Sequence, residues 1–148
     1  MEICTIGTSG ITAEQFFRAL GEAQVSCVVD TRLHPSSQLA GYAKQESLIY
    51  LLREILDITY VHETLLTPHQ SDLKAYREKI ISWDSYSNTY VQNLRSSDVV
   101  SFLKVKTWGA RPALLCSEKE ADFCHRRLAA EYLVTRLPEV KKIHHLGT

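Results

Sequence analysis

The sequence predicts a doubly wound α/β domain, with a mostly parallel sheet of about five strands and helices on both faces. Three observations predict it. Apolar runs such as Ile3-Cys4-Thr5-Ile6 and Val25-Ser26-Cys27-Val28-Val29 are continuous rather than alternating, as strands buried on both faces require. Segments with apolar residues at helical spacing separate those runs. Polar residues follow one strand run after another, and in a parallel sheet all such ends share one edge, where open α/β folds place their ligands.

The first strand, Ile3 to Ile6, stops at Gly7-Thr8-Ser9-Gly10. Thr12-Ala13-Glu14-Gln15 fits a capping box, whose side chains satisfy N–H groups orphaned at a helix start. Phe16, Phe17 and Leu20 give that helix an apolar face, and Gly21 closes it. The second strand, Val25 to Val29, ends in Asp30-Thr31-Arg32. Leu33 to Gly41, with Pro35 and two serines, reads as a loop. Leu48, Leu51, Leu52, Ile55 and Leu56 mark an amphipathic helix over roughly 45 to 57. Ile58-Thr59-Tyr60-Val61 is a third strand ending at His62. Thr67-Pro68-His69-Gln70 presents an N-cap, a proline at the first helical position and a capping glutamine. One or two polar helices then span about 71 to 106, broken near Ser96-Ser97-Asp98 and ended by Gly109. Pro112-Ala113-Leu114-Leu115 delivers the fourth strand, a helix covers about 122 to 137, and Lys142-Ile143-His144-His145-Leu146 forms the last strand.

With 148 residues, 45% hydrophobic and 23% charged, the chain reads as one globular α/β domain. Its 17 basic and 17 acidic residues cancel. A nucleic-acid-binding domain is usually basic, so the global charge gives no indication of DNA or RNA. No apolar run approaches the roughly 18 to 20 residues that cross a bilayer, and no membrane partner is expected. Met1-Glu2-Ile3-Cys4 lacks the regions of a signal peptide. The expected compartment is therefore the cytoplasm, where Cys4, Cys27, Cys116 and Cys124 stay thiols. No feature sets an oligomeric state.

The chemistry gathers after the strands: Thr8 and Ser9 after the first, Asp30, Arg32 and His34 after the second, His62 after the third, and Cys116, Ser117 and Glu118 after the fourth. The run from Cys116 to Arg127 is the densest. Asp122 reads as the N-cap of a helix opening Phe123-Cys124-His125. There the helix dipole, His125 and Arg126 would all favour a Cys124 thiolate. One reading makes Cys124, or Cys116 facing it, an activated nucleophile or redox thiol. The plainer one makes both half-buried spacers, with Arg126 pairing Glu118 or Asp30 to pin the loop. Backbone N–H groups at the helix start, two arginines and nearby hydroxyls also suit a phosphate or carboxylate. Cys116, Cys124 and His125, with His62 or His34, have the donor types of a zinc site. However, the C-x7-C-H spacing matches no familiar zinc pattern, and adjacent side chains in a helix diverge. No metal and no cofactor is expected. His144 and His145 face opposite sides of a strand, so at most one can join the site. Tyr86, Tyr90, Trp83 and Trp108 are expected in packing roles.

Three blocks carry a resemblance over nearly the whole chain: Thr5-Ile6-Gly7-Thr8-Ser9, Asp30-Thr31-Arg32 with Pro35 and Ser37, and Cys116-Ser117-Glu118 with Cys124-His125-Arg126. They resemble the microbial family catalogued as domain of unknown function 488. The resemblance implies an α/β fold and a shared polar site of Ser9, Asp30, Arg32, Cys116, Glu118, Cys124, His125 and Arg126. Relatives look basic just after the serine matching Ser37, where this chain has Gln38, a change expected to weaken anion binding. They also carry glycines after the leucine matching Leu65, where Leu66 is expected to reshape the loop beside His62.

The expected function is that of a small enzyme acting on an anionic small molecule, a nucleotide or a phosphorylated metabolite. Asp30, Glu118, Cys116, Cys124 and His125 are the catalytic candidates. Thr8, Ser9, Arg32, Ser37, His62 and Arg126 are the ligand-binding candidates. The alternative is a non-catalytic module that senses the same anion. If it is exposed, Cys124 is expected to be the most acidic of the four thiols.

Overall fold

The computed structural model describes residues 1–147. Strands β1 (Glu2–Gly7), β2 (Cys27–Asp30), β3 (Thr59–His62), β4 (Pro112–Cys116) and β5 (Lys142–His145) form one sheet in the order β3-β2-β4-β1-β5. Every neighbouring pair is parallel. The continuous apolar runs are explained by burial on both sides. Ile3, Val29 and Leu114 face one core, and Ile6, Val28 and Leu115 face the other. Full burial of one such side chain is worth roughly 1.5–3 kcal/mol, so the sequence cannot exchange these runs for alternating ones.

Helix α1 (Ala13–Glu22) begins with the expected capping box, Thr12 accepting from the Gln15 N–H and Gln15 accepting from the Thr12 N–H. It runs one residue past Gly21. Helix α2 (Gln45–Leu51) continues as a π turn over Leu52–Leu56 and stops at Asp57, whose φ of 53° is left-handed. Phe16 and Leu20 of α1 and Leu48 and Leu52 cover one sheet face. The other face carries α4 (Trp83–Ser96) and α6 (His125–Arg136), through Tyr90, Leu94, Leu128 and Leu133.

Three boundaries differ from expectation. Helix α3 (Gln70–Arg77) starts after His69, because Thr67 instead closes a 3-10 turn over Thr64–Leu66. The polar stretch breaks twice. Ser82 caps α4 after Lys79 turns through φ 62°, and Asp98, at φ 48°, precedes the short α5 (Val99–Phe102). Helix α6 begins at His125 rather than near 122. Asp122 lies outside it, and Cys124 occupies the N-cap position in extended conformation, φ −136° and ψ 139°. Leu66 is fully buried in the core with Tyr90 and Leu94.

Candidate functional site

The chain leaves β2 over one face of the sheet, toward α2 and β3, and leaves β4 over the other, toward α6 and β5. The connections part between β2 and β4, which is where an open α/β sheet leaves a crevice. Asp30 pairs with Leu115 and with His62, and Cys116 pairs with Gly7. Thr8, Asp30, His62 and Cys116 therefore lie at the same edge, as the strand-end pattern implies.

Two loops meet over that crevice. The Ser9 N–H donates to the Ser117 carbonyl at 2.8 Å, tying the β1 loop to the β4 loop. Gly7 is required by this approach: a Cβ there would lie 1.6 Å from the Glu118 carbonyl oxygen. Ser117 Oγ donates to Gln38, whose amide donates to the His34 carbonyl, so the β2 loop is tied in as well. Gln38 thus has a bracing role that a longer basic side chain would not reproduce.

Asp30 and Arg32 are both buried. The carboxylate accepts from the Arg32 N–H, Nε and Nη2 and from the Tyr60 hydroxyl, at 2.5 to 3.0 Å. Those contacts occupy its lone pairs, so Asp30 holds Arg32 in place and presents no free oxygen to a substrate. Burial, followed by the Asp30 charge, raises the Tyr60 pKa. Arg32 Nη1 has no partner among the described residues. His62 Nε2 bonds the Arg32 carbonyl at 2.8 Å. Arg126 donates to the Glu118 and Lys119 carbonyls, so it pins the β4 loop through the backbone and makes no ion pair with Glu118 or Asp30.

Cys116, Cys124 and His125 are buried together, their ligand atoms all within 4.8 Å of one another. The expectation that Cys124 and His125 diverge fails because only His125 is helical; extended backbone at Cys124 turns its sulfur back toward Cys116. Cys116 Sγ lies 3.8 Å from His125 Nδ1, and Arg126 Nη1 reaches Cys124 Sγ at 3.6 Å. Cys124 is buried, so the condition under which it is expected to be the most acidic thiol is not met, and Cys116 is the thiol whose pKa is lowered. The hydrogen bond from Cys124, outweighing burial and helped by His125, holds the Cys116 thiol well below its ordinary pKa. Burial, then the neighbouring Cys116 charge, pushes Cys124 up. Burial works to lower the His125 pKa, but the Cys116 thiolate and the Thr31 carbonyl raise it overall.

Three adjoining chambers open around this cluster. The largest, about 560 Å³, is lined by Thr8, Ser9, Ser37 and Glu118 on loops that also include His34 and Gln38. A second holds Arg32, Cys116 and His125, and a third, about 140 Å³, holds Cys116, Cys124, His125, Tyr86 and Glu118. Arg77 of α3 borders all three, 4.0 Å from the Glu118 carboxylate. Of the expected site residues, His62 and Arg126 do not line the chambers, His62 bonding a backbone carbonyl and Arg126 two loop carbonyls and Cys124 Sγ, while the others line the chambers or hold a residue that does. Sequence reasoning missed Arg77 and Tyr86. Neither follows a strand, and an arginine on a polar helix carries no local signal. His144 and His145 lie elsewhere, bonded to Glu2 and Thr5.

A family model described as domain of unknown function DUF488 matches residues 12–133. The chain belongs to this family. The matched span includes both the Asp30–Arg32 turn and the Cys116–Arg126 corner, whereas β1 and β5 flank it. No curated protein and no solved structure gives a match. Among the described residues no helix is long and apolar enough to cross a membrane.

Proposed function

We propose that the crevice between β2 and β4 is the active site of an enzyme acting on an anionic small molecule, a nucleotide or a phosphorylated metabolite. The observation that carries this reading is the shared border of the three chambers. A cationic side chain, Arg77, lines all three, and two of them are also lined by Cys116 and His125. In this reading Arg77 and the unpartnered Nη1 of Arg32 attract the anion, since guanidinium groups suit phosphate and carboxylate oxygens. Thr8, Ser9 and Ser37 offer hydroxyls. Glu118, with an exposed carboxylate on the rim, takes the general-base role that Asp30 is too fully bonded to play. The reacting group comes from Cys116, Cys124 and His125. Arg126 shapes the loop rather than gripping the ligand.

The test is a panel of nucleotides and phosphorylated metabolites, read by thermal shift and by product formation. A stabilising ligand should be turned over, and Arg77→Ala should weaken its binding tenfold or more. Stabilisation without any product would make the protein the sensing module instead. If Arg77→Ala binds every ligand as well as the parent chain, the anion reading is wrong.

A further inference from the structure

We propose that Cys116, Cys124 and His125 bind a divalent zinc-class ion, with a fourth coordination position open to the chamber bordered by Tyr86 and Glu118. The site stands on its own ligands, whether or not the crevice takes an anion.

The distances fit. Zinc bonds of about 2.3 Å to sulfur and 2.0–2.1 Å to nitrogen, at tetrahedral angles, place a sulfur about 3.6 Å from the imidazole nitrogen and two sulfurs about 3.8 Å apart. Cys116 Sγ and His125 Nδ1 stand 3.8 Å apart, and all three ligand atoms lie within 4.8 Å. A contraction of tenths of an ångström closes the sulfur–nitrogen pair around an ion. Two thiolates balance its charge, and thiolate with imidazole selects zinc over magnesium or calcium.

The surroundings of the ligands point the same way. A metal-bound histidine donates its other N–H to a fixed acceptor. His125 Nε2 lies 2.8 Å from the Thr31 carbonyl and 3.0 Å from Thr31 Oγ1. That hydroxyl already donates to the Leu115 carbonyl. Both Thr31 oxygens are therefore acceptors toward the ring, Nε2 must carry a proton, and Nδ1, which faces Cys116, is the nitrogen left for an ion. Arg126 Nη1 stands 3.6 Å from Cys124 Sγ, where it stabilises a thiolate ligand. Thr31 on one side and Arg126 on the other thus support the two adjacent ligands.

A separate observation marks the fourth position. The Tyr86 hydroxyl is buried without a hydrogen-bond partner among the described residues, in the chamber that all three ligands line. Leaving such a group unbonded costs about 1–3 kcal/mol. A metal-bound water or substrate atom in that chamber would supply its partner. Three protein ligands with an open position are the pattern of catalytic zinc; structural sites are closed by a fourth.

The test uses the full chain and the metal alone. Protein purified without chelator should contain about one zinc per chain. Metal-free protein titrated with cobalt(II) should develop thiolate charge-transfer and four-coordinate d–d absorption, saturating near one equivalent and abolished by competing zinc. Cys116→Ser, Cys124→Ser and His125→Ala should each weaken zinc binding tenfold or more, while Cys27→Ala, remote from the crevice, keeps the stoichiometry. The cobalt spectrum of the unaltered chain decides the question even if a variant misfolds. Zinc below about a tenth of an equivalent, together with a featureless cobalt titration, would overturn the site. A failure here leaves the ligand-panel result standing, and the reverse holds too.

Discussion

The carboxylate of Asp30 and the guanidinium of Arg32, two residues apart, close a buried bidentate pair with Nη2–Oδ2 at 2.7 Å. The pair ends β2 and sets the wall of the crevice. Breaking a buried pair by removing one partner costs about 3–5 kcal/mol, because the other charge is stranded. Asp30→Asn should therefore lose several kcal/mol in urea unfolding, and Arg32→Ala a similar amount. The double variant should lose clearly less than the sum. Additive losses would mean the two side chains act independently.

Gly7 and Gly41 make a matched test of the loop junction. Gly7→Ala drives a methyl group into the Glu118 carbonyl, whereas a Cβ at Gly41 meets nothing within 4 Å. Forcing atoms into a packed site typically costs about 1–3 kcal/mol, and the displaced atoms here are backbone. Gly7→Ala should lower the unfolding free energy by at least that much and reduce metal and anion binding together, since both depend on the β4 loop. Gly41→Ala should stay within about 0.5 kcal/mol of the parent. Equal effects at the two positions would refute the close approach.

Thiol reactivity should follow the acidity order. With the Cys116 pKa lowered and those of Cys4, Cys27 and Cys124 raised, metal-free protein treated with iodoacetamide at pH 7 should label Cys116 first. The sign is set by the thiolate: a lowered pKa keeps it populated well below the ordinary thiol range near 8.5. Burial slows the reaction but does not change the order. Adding zinc should suppress it. Mass-spectrometric mapping that finds Cys124 ahead of Cys116 would contradict the hydrogen-bond direction within the pair.

How much of this was legible in the sequence depends on the range of the interaction. The β-branched runs and the Thr12–Gln15 capping box are local, and they place the strands and α1 within a residue or two. The convergence of Thr8, Asp30, His62 and Cys116 follows from parallel pairing alone. The conformation of Cys124 is not local. It accompanies a loop that Arg126 ties by donating to the Glu118 and Lys119 carbonyls, contacts made across the turn rather than within a helix. Arg77 reaches the crevice only because α3 docks there. Tyr86 has the sequence context of a core aromatic, and its unpartnered hydroxyl is visible only once the chamber exists.

At the opposite sheet edge, Glu2 accepts from Arg111 and lies 2.9 Å from His144 Nε2. The Arg111 hydrogen bond first, and then His144, hold the Glu2 pKa below its ordinary value. A carboxylate whose folded pKa is depressed stabilises the fold above its unfolded pKa and loses that contribution as pH falls through the folded one. Glu2→Gln should therefore lower Tm at pH 7, with the gap to the parent closing as pH drops below about 4. A gap that persists unchanged at pH 2 would mean the charge is irrelevant.

Tyr86→Phe separates the metal-bound and metal-free states. Without a ligand, the variant removes a buried hydroxyl that has no partner, so metal-free protein should be as stable as the parent or up to about 1 kcal/mol more stable. If the hydroxyl bonds a water or substrate atom on the fourth position of a bound ion, the loaded protein behaves differently. The variant should then gain less stability from zinc than the parent does, with unchanged stoichiometry, because Tyr86 is not itself a ligand. Thermal unfolding of both proteins, with and without one equivalent of zinc, reads the two effects separately. If Tyr86→Phe destabilises the metal-free protein as much as the loaded one, the hydroxyl already has a partner in the fold, and the chamber loses its second mark as a binding position.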